Sequence, residues 1–284
     1  MIRKFAAFVA IIFLTQSCGL TDNESPLPFF LDLSSPSVKA VATFGNDTHK
    51  ITDVWVFADG QILGVFPLPA TVPVTLTGKE QEITILAGIR NNGMNDQPVF
   101  YPFYQSIVKK LNPAANEHIT IPLDFKYVDN AKIPINEGFE NTNSFSLDID
   151  NKPETFIYPS TSTAILGKYS GEVTLNSSLS FVEVANTQPI LAGDNSRGES
   201  YIEFDYKGDG EIAVGLAKFR NGTINIEYFL FVPGKANWNK IYVEVTDKLS
   251  SQDYEKYLVL LAFSKTGNSQ ESKIYVDNYK HVHF

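Results

Sequence analysis

Acidic side chains at alternate positions are the first residues in this 284-residue chain that could carry out chemistry. Asp148 and Asp150 form one such pair, and Glu203 and Asp205 form another. Residues two positions apart on a strand share a face, and two carboxyl groups about 5 to 9.5 Å apart across a sugar can hydrolyse a glycosidic bond. Sequence spacing does not place either pair in a cleft. We therefore interpret both pairs as acids on solvent-facing sides of strands.

A second pattern that could bind a metal is the H-x-H pair formed by His281 and His283. The other two histidines, His49 and His118, lie far away in the first part of the chain, so we interpret the pair as a solvated strand end. The phrase DYKGDGE is similar to a calcium loop, but Lys207 occupies a position that needs an oxygen ligand. We interpret this phrase as a hairpin turn.

Motifs of the common nucleophilic and phosphate-binding enzymes are absent, since the sequence contains no G-x-S-x-G, G-K-[ST] or H-E-x-x-H. Hydrophobic residues make up 43% and charged residues 19%, a globular composition. Removal of Arg3 and Lys4 with a signal segment would change the formal charge from −9 to −11. Binding to nucleic acid needs clustered cations. We expect a globular protein that is not an enzyme, needs no cofactor and binds no nucleic acid.

The only cysteine, Cys18, follows a segment with the features of an export signal. Arg3 and Lys4 precede the apolar run 5–14, which is too short to span a bilayer of roughly 30 Å. The phrase TQSC resembles the lipobox of bacterial lipoproteins, although Thr15 stands where that family usually has leucine. This resemblance implies that residues 1–17 are a signal peptide and that Cys18 is acylated and anchors the protein. The alternative is an ordinary signal peptide with a chance cysteine.

Residues 18–35 carry Asp22 and Glu24 shortly after the cysteine. The segment resembles the acidic tether that marks Bacteroidetes-type lipoproteins for the outer surface, and the alternative is a plain flexible linker. We expect an outer-membrane lipoprotein that is exposed on the cell surface.

Short runs rich in Val, Ile and Thr, separated by Gly, Pro, Asn and Asp, predict an all-β protein. In residues 36–126, Asp59-Gly60 between two apolar runs predicts a hairpin with a type I′ turn. This part resembles the immunoglobulin-like or PEGA-like modules of bacterial envelope proteins, which implies an N-terminal immunoglobulin-like β-sandwich. Residues 127–134 are interpreted as a linker, and residues 135–284 as the second domain.

The second domain begins with the phrase NEGFE and ends with the phrase YVDN. Both phrases, with Trp238 before IYVEV, resemble those of carbohydrate-binding-module-like or galactose-binding-like domains, which implies a C-terminal jelly-roll β-sandwich. The family usually has a tryptophan soon after F-E, whereas this chain has Asn141 to Ser144. The resemblance also implies a structural calcium ion held by Glu140 and Asp277, whose carboxylates are suitable ligands.

Glycan binding would use exposed aromatic side chains with polar groups nearby. The aromatic residues near predicted loops of the second domain are Tyr158, Tyr169, Phe219 and Tyr254. We take these four residues as candidate ligand contacts, with core packing as the alternative for each.

These observations favour a non-catalytic, lipid-anchored envelope protein that binds surface glycans or mediates adhesion. A second hypothesis is an accessory subunit of an outer-membrane transporter or secretion translocon, for which the aromatic phrase PVFYPFYQS (Pro98 to Ser106) would be the interface with the partner protein. A third hypothesis is a glycosidase-like enzyme.

The anchor hypothesis predicts the behaviour of a Cys18→Ser variant. A thioether-linked lipid needs the cysteine sulfur, so this variant should lose metabolic labelling with a fatty acid and should be released from the membrane. Unchanged labelling of the variant would contradict lipid attachment at Cys18.

Overall fold

A computed structural model describes residues 27–40, 44–149, 152–195, 198–250 and 253–284. The predicted signal peptide, Cys18 and the first part of the predicted tether lie outside these residues. The chain is all-β and forms two β-sandwiches, as the sequence predicts. No helix in the described part of the chain has both the length and the apolar character needed to cross a bilayer.

The N-terminal unit is an immunoglobulin-like sandwich of ten strands. β1 pairs with β5 and β9, β2 pairs with β10, and β3, β4, β6, β7 and β8 form a five-stranded sheet. Phe29 and Leu31 of β1 share one buried cluster with Val54 and Val56 of β3. The strands are β1 (Pro28–Leu33), β2 (Pro36–Val38), β3 (Asp53–Ala58), β4 (Gln61–Pro67), β5 (Ala70–Thr75), β6 (Gln81–Arg90), β7 (Pro98–Phe100), β8 (Ile107–Leu111), β9 (His118–Thr120) and β10 (Leu123–Phe125).

The predicted hairpin at Asp59-Gly60 is confirmed. Ala58 of β3 pairs with Gln61 of β4, which leaves these two residues as the turn. Their φ angles are 51° and 77°, in the left-handed region that a type I′ turn requires.

The C-terminal unit is a jelly-roll sandwich of two six-stranded sheets. We call β11, β13, β14, β17, β20 and β22 the covered sheet, because its outer face packs on the N-terminal unit, and β12, β15, β16, β18, β19 and β21 the open sheet. The strands are β11 (Lys132–Glu137), β12 (Leu147–Asp148), β13 (Tyr158–Ser160), β14 (Ser170–Asn176), β15 (Phe181–Ala185), β16 (Ile190–Leu191), β17 (Ser200–Gly208), β18 (Glu211–Arg220), β19 (Thr223–Pro233), β20 (Asn239–Glu244), β21 (Lys256–Ser264) and β22 (Glu271–His283), with a short helix α1 (Thr246–Leu249) and a 3₁₀ turn (Ala192–Asn195). Lys132 to Pro134 of the predicted linker lie in β11.

Two interpretations from the sequence are wrong in this unit. The KGDG phrase is not a hairpin turn, because β17 belongs to the covered sheet and β18 to the open sheet, so the turn crosses from one sheet to the other. The histidine pair is not solvated, since His281 and His283 are 0% and 1% exposed. The Nε2 atom of His281 lies 2.9 Å from the Ser200 hydroxyl, and burial lowers the pKa of this imidazole to about 3. The ring is therefore a neutral part of the interior.

The two units are joined by a buried ionic cluster centred on Glu203 of β17. This carboxylate accepts hydrogen bonds from the hydroxyls of Tyr101 (2.6 Å) and Tyr127 (2.9 Å) of the N-terminal unit. The Lys240 ammonium of β20 lies 3.1 Å from Glu203 Oε2. Burial raises the pKa of the Glu203 carboxyl, but the ammonium groups of Lys240 and Lys280 and the tyrosine donors outweigh it, so the pKa lies below its ordinary value. Glu203 is therefore ionised and fully paired.

Lys280 of β22 extends this cluster toward the loop that precedes β3. Its ammonium donates to the Asn46 carbonyl (2.9 Å) and to the Tyr127 hydroxyl (3.2 Å). The Asn46 side chain donates in turn to Asn278 Oδ1 (2.5 Å), and Asn278 donates to Asp205 (3.0 Å). Burial lowers the pKa of Lys280 to about 8. Three of these four bonds join one unit to the other, and the bond from Asn278 to Asp205 lies within the C-terminal unit.

These contacts correct two further interpretations. Glu203 and Asp205 do not face solvent, since they are 0% and 1% exposed. The aromatic phrase Pro98 to Ser106 is not a free surface for a partner protein, because Tyr101 and Phe103 are buried and pack edge-on against Tyr201 of the C-terminal unit. The phrase is an interface within the chain.

The cluster predicts a large effect of Glu203→Gln on stability. An amide would leave two buried ammonium groups without their counter-ion, a defect that costs roughly 3 to 5 kcal/mol. Because the Glu203 pKa is lower in the folded state than the ordinary 4.5, the wild type should also lose stability as the pH falls below 4.5 and through the folded-state pKa. Urea unfolding as a function of pH measures both effects.

The exposed Glu82→Gln is the matched control, and it should unfold like the wild type. Equal stabilities of Glu203→Gln and Glu82→Gln would show that the buried cluster does not hold the units together.

Candidate functional site

The outer face of the open sheet carries small residues where a sandwich usually carries polar ones. Ile212, Val214 and Leu216 of β18 point into the core, so the alternate residues of this strand point outward. Cross-strand register places the small residues of the central strands on the same face. They are Ala185, Ala213, Gly215, Ala217 and Ala262, and Leu258 and Leu260 of β21 share this face. These residues are buried, and Tyr228 and Phe219 pack over them. We call them the floor.

Large apolar residues lie on the two sides of this floor. On one side, Leu147 of β12 and Phe181 of β15 are 38% and 37% exposed. On the other side, Ile226 and Phe231 of the edge strand β19 are 44% and 58% exposed. We call the floor and these four side chains the trough. The exposed apolar area of the trough comes from these side chains and from the partly exposed Tyr228 and Phe219, because the floor is buried. Exposed apolar patches mark binding sites.

The side chain of Tyr228 lies across the trough. A Cβ atom on Gly215 would lie 2.8 Å from Cδ1 and 3.0 Å from Cε1 of this tyrosine, so the ring rests directly on the glycine. From β19 the side chain extends over β18 and β21, and its hydroxyl donates a hydrogen bond to Glu183 of β15. A β-bulge between Val214 and Gly215 sets this register, because Leu230 and Tyr228 oppose these two residues. The glycine and the bulge together place an aromatic ring in close contact with the sheet.

Such a surface can bind a ring that is apolar on one face and polar at its edge. The face of Tyr228 provides a stacking platform, and Glu183 retains carboxylate lone pairs that can accept further hydrogen bonds. Phe219 lies on the same face at one end, with the Lys256 ammonium 5.2 Å from its ring centre. The trough therefore combines aromatic contact area with charged groups at its margins.

The structure does not bring the four candidate aromatic residues together. Tyr158 is 56% exposed and contacts Phe156 at the margin of the covered sheet. Tyr169 is half-buried against the core, and Tyr254 is buried, with its hydroxyl donating to the Leu249 carbonyl. Of the four, only Phe219 lies at the trough.

Sequence reasoning missed Tyr228, Gly215 and Glu183. The available signal was the alternation of small residues in GEIAVGLAKF, where Ala213, Gly215 and Ala217 share the outward face. Small residues on an outward face leave room for an overlying ring.

The candidate calcium ligands, Glu140 and Asp277, both hold the loop that precedes β14. Glu140 Oε1 accepts hydrogen bonds from the backbone N–H groups of Lys168 (2.7 Å) and Tyr169 (2.9 Å). Asp277 Oδ2 accepts one from the backbone of Ile165 (3.2 Å). The two carboxylates thus reach the same short loop, Glu140 from the segment that follows β11 and Asp277 from β22.

The negative charges clustered around Asp277 favour a cation, whereas the number of side chains available to ligate it does not. Burial, with the neighbouring carboxylates of Asp205 and Glu140, raises the pKa of Asp277 to about 7, although two backbone donors oppose the rise. No group of three or more His, Cys, Asp or Glu residues within the described ranges is arranged to hold a metal ion. Calcium at Glu140 and Asp277 stays a prediction, with backbone carbonyls needed to complete its shell.

Comparisons with known proteins give likenesses only to solved structures. No family model matches the chain, and no curated protein matches it. The C-terminal family 22 carbohydrate binding module from Clostridium thermocellum is 12% identical with a TM-score of 0.40, and the match covers 55% of this chain and 97% of that one. A family 30 module from the same organism is 13% identical with a TM-score of 0.36, covering 54% and 93%. TmCBM61, solved with β-1,4-galactotriose, is 10% identical with a TM-score of 0.30, covering 55% and 90%.

Calcium binding predicts a ligand-dependent melting temperature. An ion that binds only the folded state adds about 2.7 kcal/mol at a hundredfold excess over its Kd, so millimolar calcium should raise the melting temperature by several degrees and a chelator should reverse the rise. The double variant Glu140→Gln, Asp277→Asn should not respond, because amides lose the charges that attract the cation. If the melting temperature of the thoroughly chelated wild type does not change when calcium is added, the site is excluded.

Proposed function

We propose that this protein is a non-catalytic, lipid-anchored envelope protein that binds glycans in the trough of its C-terminal sandwich. The observation that carries this proposal is the Tyr228 ring, packed against Gly215 with its hydroxyl bonded to Glu183. One face of a pyranose ring presents C–H groups that stack on such an aromatic surface, while its hydroxyls point outward to hydrogen-bonding groups.

Three features of the trough support a sugar chain as its occupant. The Tyr228 and Phe219 rings pack over the buried floor and are themselves partly exposed, so an extended chain could lie over them. Phe181 and Phe231 stand at the sides of the trough and are exposed enough to contact further sugar units. Glu183 and Lys256 supply polar groups at its margins.

The non-catalytic part of the proposal is supported by the positions of the acidic pairs. Glu203 and Asp205 are buried beneath the N-terminal unit and cannot contact a substrate. Asp148 faces inward, opposite Val184 of β15, and Asp150 lies outside the described residues. Within the described residues, Glu203 and Asp205 therefore form no cleft with two accessible carboxyl groups.

Membrane attachment is the second part of the proposal, and it rests on the sequence around Cys18. The short apolar run and the lipobox-like phrase support export and acylation, and Asp22 and Glu24 support display at the outer surface. Two or three acyl chains would hold the protein firmly, since each buried CH₂ contributes about 0.8 kcal/mol.

A second candidate function is docking on an outer-membrane protein, and the edge strand β19 favours it. This strand has 11 residues, and Ile224, Ile226 and Phe231 are exposed along it. A long, apolar edge strand can pair with a strand of another protein. A pull-down from solubilised membranes would detect such a partner.

The glycan proposal predicts that Tyr228→Ala binds at least about tenfold more weakly, a loss of roughly 1.4 kcal/mol. The ligand is first identified on an array of purified polysaccharides, and its affinity is then measured by calorimetry. Glu183→Gln should weaken binding less, because an amide oxygen still accepts hydrogen bonds.

Tyr158→Ala is the matched control, since Tyr158 is exposed on the other sheet. The proposal fails if Tyr228→Ala and Tyr158→Ala bind equally well, or if no polysaccharide binds while the pull-down retains a membrane protein.

A further inference from the structure

A polar cleft of about 530 Å³ lies at one end of the C-terminal sandwich. We call it the end cleft; Lys218, Arg220, Thr223, Asn225, Asp253 and Tyr254 line it. It lies on the opposite side of β18 and β19 from the trough, because Phe219, between Lys218 and Arg220, packs on the trough face.

The end cleft is formed where the inner face of β18 changes from apolar to cationic. Ile212, Val214 and Leu216 fill the core, and Lys218 and Arg220 continue the same face beyond it. Cross-strand register places Asn225 opposite Lys218 and Thr223 opposite Arg220. Two cations, an amide and a hydroxyl thus stand side by side on two paired strands.

Lys218 is held in position and still has N–H groups available to donate hydrogen bonds. Its ammonium donates to the Lys248 carbonyl and lies 5.4 Å from the centre of the Tyr254 ring. An ammonium has three N–H donors, so the bond to that carbonyl leaves two. Burial lowers the pKa of Lys218, and the nearby Lys248 lowers it further while Glu227 opposes the shift. An anion in the cleft would relieve this unfavourable environment.

Arg220 is the more accessible of the two cations. Its side chain is 62% exposed and lies 3.8 Å from Asp253, which is 73% exposed. An exposed pair at this distance contributes little energy. The guanidinium can therefore turn to a carboxylate, which it binds through two parallel hydrogen bonds.

We propose that the end cleft binds a sugar that carries a carboxylate, with the carboxylate at Lys218 and Arg220 and the sugar hydroxyls at Asn225, Thr223 and Asp253. The volume suits one or two sugar units, since small-molecule sites span roughly 300 to 1,000 Å³. A fully ionised inorganic anion has no O–H group to donate to the Asp253 carboxylate, and a neutral sugar brings no counter-charge for the two cations. This site is separate from the trough and does not rest on glycan binding there.

The test is calorimetry on the full chain, purified in detergent, with a trisaccharide of galacturonic acid as the probe. The matched ligand is the same trisaccharide after reduction of its carboxyl groups to hydroxymethyl groups. We expect the acidic trisaccharide to bind at least tenfold more tightly than the reduced one, and its affinity to fall as salt is added. Equal affinities, or no binding of the acidic form, would overturn the proposal.

Variants locate the binding within the molecule. Arg220→Gln and Lys218→Gln should each weaken binding of the acidic trisaccharide at least tenfold, whereas Lys109→Gln, an exposed lysine of the N-terminal unit, should not. If the Lys218→Gln variant does not fold, the affinity of the Arg220→Gln variant, whose substituted side chain is exposed, tests the proposal. Tyr228→Ala should leave this binding unchanged, so failure of the trough and failure of the end cleft are distinguishable. Unaltered affinity in Arg220→Gln would exclude the end cleft.

Discussion

The rest of the structure depends on one buried negative charge, that of Glu203. Removing a carboxylate from water is costly unless ammonium groups and hydrogen-bond donors replace the water. Here the ammonium groups come from the C-terminal unit, through Lys240 and Lys280, and the hydroxyls come from the N-terminal unit, through Tyr101 and Tyr127. Neither unit alone satisfies the charge. The two sandwiches are therefore held in one relative orientation.

This joint also determines which surface remains for a ligand. The N-terminal unit occupies the outer face of the covered sheet, where Tyr201, Tyr242 and Val282 belong to the same buried cluster as the N-terminal core. The N-terminal unit does not cover the outer face of the open sheet, where the absence of a side chain at Gly215 gives Tyr228 room to pack against the sheet. One sheet of the sandwich is used for assembly within the chain, and the other is left for recognition.

The sequence predicted the features that depend on neighbouring residues. The all-β class and the turn at Asp59-Gly60 follow from short β-rich runs and from a dipeptide that accepts positive φ, and the jelly roll was implied by the resemblance of the NEGFE and YVDN segments. It did not predict the burial of Glu203, because alternation shows which residues share a face and not what covers that face. The covering hydroxyls come from Tyr101 and Tyr127, which are 102 and 76 positions away. The turn before β18 was wrongly predicted as a hairpin for a related reason. A Gly-rich turn can join two strands of the same sheet or strands of two different sheets.

The position of the N-terminal unit on the covered sheet has a geometric consequence for ligand access. The outer face of the open sheet lies on the side of the C-terminal sandwich opposite the N-terminal unit. A polymer longer than the protein could therefore pass across this face without a collision with the N-terminal unit, and internal stretches of such a chain could be captured as easily as its ends.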